Sequence, residues 1–214
     1  LQFKINFAAK QMMAMGQFSR WMSDLATAGY DLQSVSLYSE RTANVTGSGV
    51  SVKVDPNTDI QSFSLAVTSL ATKEVMESGS FASSADLVAS GVGSLNINIG
   101  GTDYTINYDA TTTLDTLKNT INTIAGDKVG ASIVQLATGD FRLFLSSKET
   151  GSNQNITVTD TSGLLNGTQL TTGMSTIQNG TDALFKFNGV DVTRSSNVIS
   201  DLVTGVTITL EEAG

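Results

Sequence analysis

"FKFNGVDVTRSSNVISDLVTGVTITL", Phe185 to Leu210, decides how this chain is read. Phe185 and Phe187 alternate into Asn188-Gly189, a pair that tolerates positive φ, and Val190 and Val192 alternate out again, so the stretch predicts a tight hairpin. Ser195, Ser196 and Asn197 follow, and these residue types supply side-chain oxygens at a helix start. The pattern therefore predicts a short capped turn over "VISDLV", ended by Gly205, and then a strand through Val206, Ile208 and Leu210. One Arg among Ser and Asn is also what a ligand site would offer. Local backbone chemistry already accounts for the Ser and Asn residues, and Arg194 has no carboxylate partner that sequence alone can name.

Upstream lies a second unit with clear periodicity. Leu95, Ile97 and Ile99 alternate, "GGTD" turns the chain, and Tyr104, Ile106 and Tyr108 alternate back. "TTTLDTLKNTINTIAG" then places Leu114, Leu117, Ile121 and Ile124 on one stripe, with Thr112 and Asp115 at capping-box spacing and Gly126 as a stop. "ASIVQLATGDFRLFLSSK" reads as another hairpin, with Phe141, Leu143 and Leu145 alternating, and "NITVTD" from Asn155 adds a last strand. The expectation is β-β-α-β-β, one helix laid across an antiparallel sheet. Before it, Val50, Val52 and Val54 alternate, "DPNTD" turns around the single proline, and Phe63, Leu65 and Val67 form the second of a first pair of strands. "ESGSFASSADLVASGVGS" reads as a separating stretch.

Residues 1 to 43 differ from the rest. Leu1, Phe3, Ile5 and Phe7 alternate like a short strand, after which Met15, Phe18, Met22 and Leu25 take the spacing of one helical face, interrupted near Gly29. Four of the six Met residues and the only Trp, Trp21, fall here. Such a stripe is core or helix-partner surface, because flexible Met and large aromatics fill irregular contacts. No comparable amphipathic helix follows to cover it, so its partner is expected in another chain or in sequence beyond this one.

Composition narrows the function. Twenty acidic residues against 12 basic ones give a net charge of -8, which repels phosphate backbones and anionic lipid heads; neither nucleic acid nor membrane is an expected partner. "LQFKINFAAK" lacks a basic segment followed by an apolar one, and no run approaches the roughly 20 apolar residues that cross a bilayer. With no His and no Cys, Ser-His and Cys-His nucleophiles, thiolate metal sites and disulfides are excluded. A Ser-Lys pair survives formally in Ser146 and Lys148, at a strand end where a solvated turn explains both. Asp103, Asp109 and Asp115 could supply paired carboxylates, but each stands at a turn or cap. "GSGV" and "SGVGS" lack the length and lysine of a phosphate loop, and "DTSGLLNG" lacks the ligand pattern of a calcium loop. No catalytic, cofactor-binding or metal-binding residue is assigned. Tyr104 and Tyr108 are the candidates for an aromatic platform of an adhesin-like, glycan-binding module.

"ALFKFNGVDVTRSSNVISDLVTGVTITL", Ala183 to Leu210, closely resembles a stretch of the flagellar hook-associated protein 2 family, the filament cap proteins. "GGTDYTINYDATTTLDTLKNTIN" through "FRLFLSSKETG" is similar to the insertion that cap proteins share with some flagellins, and "FSLAVTSLAT" with "SGSFAS" to the first outer strand and its exit. The resemblance runs from about Asn44 onward. It implies an α+β, mainly β chain: residues 1–43 as part of a helical leg, 44–76 plus 175–214 as a discontinuous near-leg outer domain, and 77–174 as an outer domain inserted into it. It also implies a non-enzymatic, secreted protein, exported by the flagellar type III route, that forms a homo-oligomeric ring at the flagellum tip. There it would promote flagellin folding and addition, with other hook-associated proteins as further neighbours. The second alternative is another axial component, a flagellin or hook-filament junction protein.

Overall fold

The computed structural model describes residues 2–34, 39–167 and 169–214. Leu1 lies outside them. Helix α1, Gln2–Leu32, already includes Phe3, Ile5 and Phe7, which corrects the expected strand. Four alternating residues without a pairing partner cannot form a ladder, and Phe3 and Phe7 also fit an i, i+4 helical repeat. Nor does Gly29 interrupt the helix. One glycine costs about 1 kcal/mol relative to alanine, too little to break a long helix.

Among the described residues, the rest of the chain forms four small antiparallel sheets around two cores. In the first pair, β1 (Val50–Val54), β13 (Val206–Leu210) and β12 (Val198–Val203) form one sheet, and β11 (Val190–Arg194), β10 (Ala183–Phe187) and β2 (Leu65–Ser69) the other. Their inward positions, among them Val67, Phe185, Ile199 and Ile208, make one continuous apolar cluster. The strands β1 and β2, expected as a pair, do not pair with each other. β1 runs beside β13 and β2 beside β10, so each contributes an edge to a different sheet of a sandwich.

The β10–β11 hairpin closes at Asn188 (φ 49°) and Gly189 (φ 84°). Past it, residues 198–203 are a strand and not the expected capped turn, while the strand expected through Val206, Ile208 and Leu210 is present. Asn197 caps no helix. Its amide accepts from the Ala71 N–H at 2.7 Å and donates to the Ala71 carbonyl at 2.9 Å, taking the place of a strand residue between the two sheets.

The second core lies between the sheet β5–β4–β8 and the sheet β6–β7–β3–β9, with α2 (Leu114–Ile124) at its side. Here β3 is Val75–Glu77, β4 Gly93–Ile99, β5 Thr102–Tyr108, β6 Val129–Ala137, β7 Asp140–Ser147, β8 Ile156–Asp160 and β9 Ser175–Gln178. The single expected sheet is thus two. β3 and β9 were not expected at all, and the stretch read as a separator supplies Phe81, Val88 and Ala89 to this core. Helix α2 starts one residue later than its capping pattern suggested: Thr113 accepts from the Thr116 N–H at 3.1 Å. Asp115 instead pairs with Lys118 at 2.6 Å. Leu114, Leu117 and Ile121 are fully buried, while Ile124 is exposed and Ala125 takes its place.

Two strands cross between the cores, and a loop seals the crossing. Thr72 and Thr181 bridge. The buried Glu74 carboxylate accepts from the Gly180 N–H at 2.9 Å and the Thr176 hydroxyl at 3.2 Å. Loop 148–153 then reaches across: Gly151 N–H donates to Thr72 O at 3.0 Å, Ser152 donates twice to Asp182, and Thr150 Oγ1 donates to Ser195 O at 2.6 Å. A Cβ on Gly180 would stand 2.6 Å from the Gly151 carbonyl, which is why only glycine fits.

Candidate interaction surface

Helix α1 carries a row of exposed apolar side chains. Met15, Phe18, Met22 and Leu25 recur at the expected spacing, and all are exposed, as is Trp21. Scattered exposed apolar residues need no explanation, but a contiguous row of this size marks a contact surface. No helix among the described residues is long and apolar enough to cross a membrane.

A cleft of about 440 Å³ opens beside β1, floored by Val50, Val52, Val54 and Val206 and walled by residues 41–48 and 58–65. Arg41 lines it, but its guanidinium donates to the carbonyls of Thr58 (3.0 Å) and Glu40 (3.1 Å). Asp59 is its single carboxylate. An aliphatic floor with one acid and an engaged Arg can receive an apolar side chain; it offers no acid-base pair.

The other candidate groups are held apart. Arg194 meets Asp201 across the β11–β12 corner at 3.0 Å, and the guanidinium holds that carboxyl below its ordinary value. Ser146 Oγ donates to the Ser147 carbonyl. Asp109 accepts from Thr111 and Thr112 within its own turn, and the first of these lowers its pKa. Asp103 accepts from Asn98. Tyr108 is buried and donates to Asp160 at 2.5 Å, and Tyr104 donates to Asp127 at 3.0 Å. Burial first, and then the acidic neighbour, raise the pKa of both phenols. A buried Tyr108 cannot serve as half of an aromatic platform. Among the described residues no group of three acidic side chains could hold a metal ion.

These contacts set two expectations. Replacing Asn188 and Gly189 together by Val forces β-branched residues to positive φ and should cost about 2 kcal/mol or more, whereas Arg194→Ala, removing a largely solvated pair, should barely move the thermal midpoint. Thermal unfolding in the reverse order would refute this account of the hairpin. The second concerns pH. Burial pushes Asp160 up, but Tyr108 and the N–H groups of Leu165, Ser162 and Gly163 outweigh it and hold its pKa down; Arg142 and Ser80 do the same for Asp140. A depressed carboxylate contributes stability above its unfolded pKa, near 3.9, and loses it as pH falls through the folded value. The melting temperature should therefore be level from about pH 5 to 8 and drop below about pH 4, less steeply in Asp160→Asn.

Residues 180–214, covering β10 to β13, match the family model described as "Flagellar hook-associated protein 2 C-terminus". Flagellar hook-associated protein 2 of Campylobacter jejuni is 28% identical over 204 residues. The chain is thus similar to flagellar hook-associated protein 2, most specifically over residues 180–214. It spans 32% of the length of that curated relative, and 77% of this chain is covered. Among solved structures, the D2-D3 domains of the flagellar cap protein FliD from Serratia marcescens share 27% identity at a TM-score of 0.66, covering 78% of this chain and 95% of that one. The D1-D2-D3 domains of FliD from Escherichia coli overlay at a TM-score of 0.74 with 24% identity, covering 88% and 58%; that likeness concerns the fold. The motif whose β12 part was misread, Ala183 to Leu210, lies wholly inside the stretch that matches the family model. The cleft was not foreseen, since its walls are irregular segments without periodicity.

Proposed function

We propose that this chain is part of a non-enzymatic cap protein at the distal tip of a bacterial flagellum. Copies of it would form a ring that holds exported flagellin and promotes its folding and addition to the filament, beside other hook-associated proteins. The observation that carries this reading is the coincidence of the family's C-terminal signature with a fold that overlays cap-protein D2-D3 domains at 27% identity. The exposed face of α1 supports it, because a leg that handles a moving client needs an apolar, rearrangeable contact. A surface rich in hydroxyls and amides suits reversible contacts between outer units. A chain without Cys is compatible with export in an unfolded state through the flagellar type III channel.

Within this reading the sandwich is the near-leg outer domain and the second core the inserted one. Boundaries at 76/77 and 174/175 would sever β3 and detach β9 from it, so we place the junction at Thr72 and Thr181, where the two strands cross. The main-chain N–H groups of Glu211 and Glu212 both donate to Gly49 O, at 2.8 and 3.2 Å. The strands leading in from α1 and out toward Gly214 therefore lie side by side, as a common leg would require.

The test is deletion of the gene in its own bacterium. Flagellin monomers in the medium with stubby or absent filaments, restored by the wild-type gene, are expected; filaments of normal length would reject the cap assignment.

A further inference from the structure

Strand β6 is an edge strand, and only half of its edge is covered. Along β7, Leu143 and Ser147 turn their backbone groups toward β3 (Ser78 N–H to Leu143 O, 2.8 Å; Ser147 N–H to Glu74 O, 3.0 Å). The alternate residues of β7 therefore bond β6, whose own residues 129, 131, 133 and 135 must point outward. The first two are satisfied. Val129 N–H donates to Ala125 O at 2.7 Å, and the Asn122 amide of α2 both accepts from and donates to Ala131, at 2.9 and 2.8 Å. Among the described residues nothing bonds the outward N–H and C=O groups of Ile133 and Gln135.

The other edges are blunted. β1, β5, β8, β11 and β12 carry Lys53, Asp103, Asp160, Asp191 and Asp201 respectively, a usual protection against edge pairing. Gly214 N–H bonds Val67 on β2. The short strand β9 turns Thr176 and Gln178 back onto Glu74 and the Lys73 carbonyl. Residues 129–137, "VGASIVQLA", contain no charge in a chain whose net charge is -8. Val134 and Leu136 are exposed beside the bare segment.

We propose that Ile133–Gln135 is a self-pairing site, where β6 of one copy joins β6 of a second copy antiparallel about Val134. That register is the one the free groups permit. Ile133 of each copy faces Gln135 of the other and exchanges both backbone bonds, giving four hydrogen bonds, while the two Val134 side chains meet across the two-fold axis in the close, non-hydrogen-bonded position. The Asn122 cap on one side and the Thr138-Gly139 turn on the other stop the ladder from extending. A second copy is the fitting occupant because the segment is complementary to itself in both register and charge, and a two-fold contact of this kind is isologous and closed. So short a ladder makes a weak, reversible pair. The proposal does not depend on the cap reading, and either can fail alone.

The chain has no cysteine, so a single introduced thiol reports the register. In the full chain, V134C should form a covalent dimer rapidly under mild oxidation. S132C should not, since two residues at that position would stand about 14 Å apart along the antiparallel strands, beyond disulfide reach. In sedimentation velocity, V134K and V134E should each self-associate about tenfold more weakly than the parent, and mixing them should restore association. Far-UV circular dichroism checks that each variant is folded. Equal crosslinking of V134C and S132C, or undiminished association of folded V134K, would overturn the proposal.

Discussion

Phe185→Ala is expected to lower the stability of the sandwich by about 4 kcal/mol, a drop on the order of 20 °C in its melting temperature for a unit of this size. Phe185 is fully buried at the centre of β10, between β11 and β2, and its ring belongs to the cluster with Val67, Ile199 and Ile208. None of those residues contributes to the cluster around Leu117, Ile121 and Leu145. Calorimetry of the variant should therefore show one transition moved down and one in place, with the methyl signals of Leu117 and Ile121 still dispersed after the first. If both clusters melt together at the lowered temperature, they fold as one unit and the proposed division at Thr72 and Thr181 is wrong.

The second large effect is expected at a polar residue. Asn197→Ala removes both partners of Ala71, whose N–H and C=O would then lie buried without bonds. Two orphaned backbone groups cost about 3 kcal/mol together. Asn197→Asp, able to accept but not to donate, should fall between. Ser196→Ala should cost far less, because its hydroxyl oxygen only accepts from the exposed Val198 N–H. Urea titration that leaves the slope unchanged and shifts the midpoint in this order would confirm the role; equal values for Ser196→Ala and Asn197→Ala would refute it.

That contrast also explains which parts of the fold could be read in advance. The hairpins at Asn188-Gly189, Gly100-Gly101 and Thr138-Gly139 are fixed by residues adjacent in sequence, as is the buried stripe of α2, so their signals are local. Asn197 has its partner 126 positions away. Nothing in "SSN" distinguishes a cap from a bridge between sheets until the second sheet is in place. The strands β3 and β9, of three and four residues, have too little periodicity to declare themselves and exist because each pairs with a neighbour. The apolar stripe of α1 was legible through its 3.6 period, while the residues before it were mistaken because four alternating positions fit either element. Of the interaction surface, then, the helical face could be seen in the sequence. The bare half of β6 could not, since it is defined by where Asn122 stops covering it.

The three-way crossing at Thr72, Thr181 and loop 148–153 has a mechanical consequence. Two extended strands alone would let the inserted unit swivel about their common axis. Loop 148–153 adds a third connection, Ser152 on Asp182 beside the crossing and Thr150 on the Ser195 carbonyl beyond it, and the second of these opposes such a swivel. A sideways push on the far end should therefore rotate both cores as one lever, delivering its load to the corner after β11.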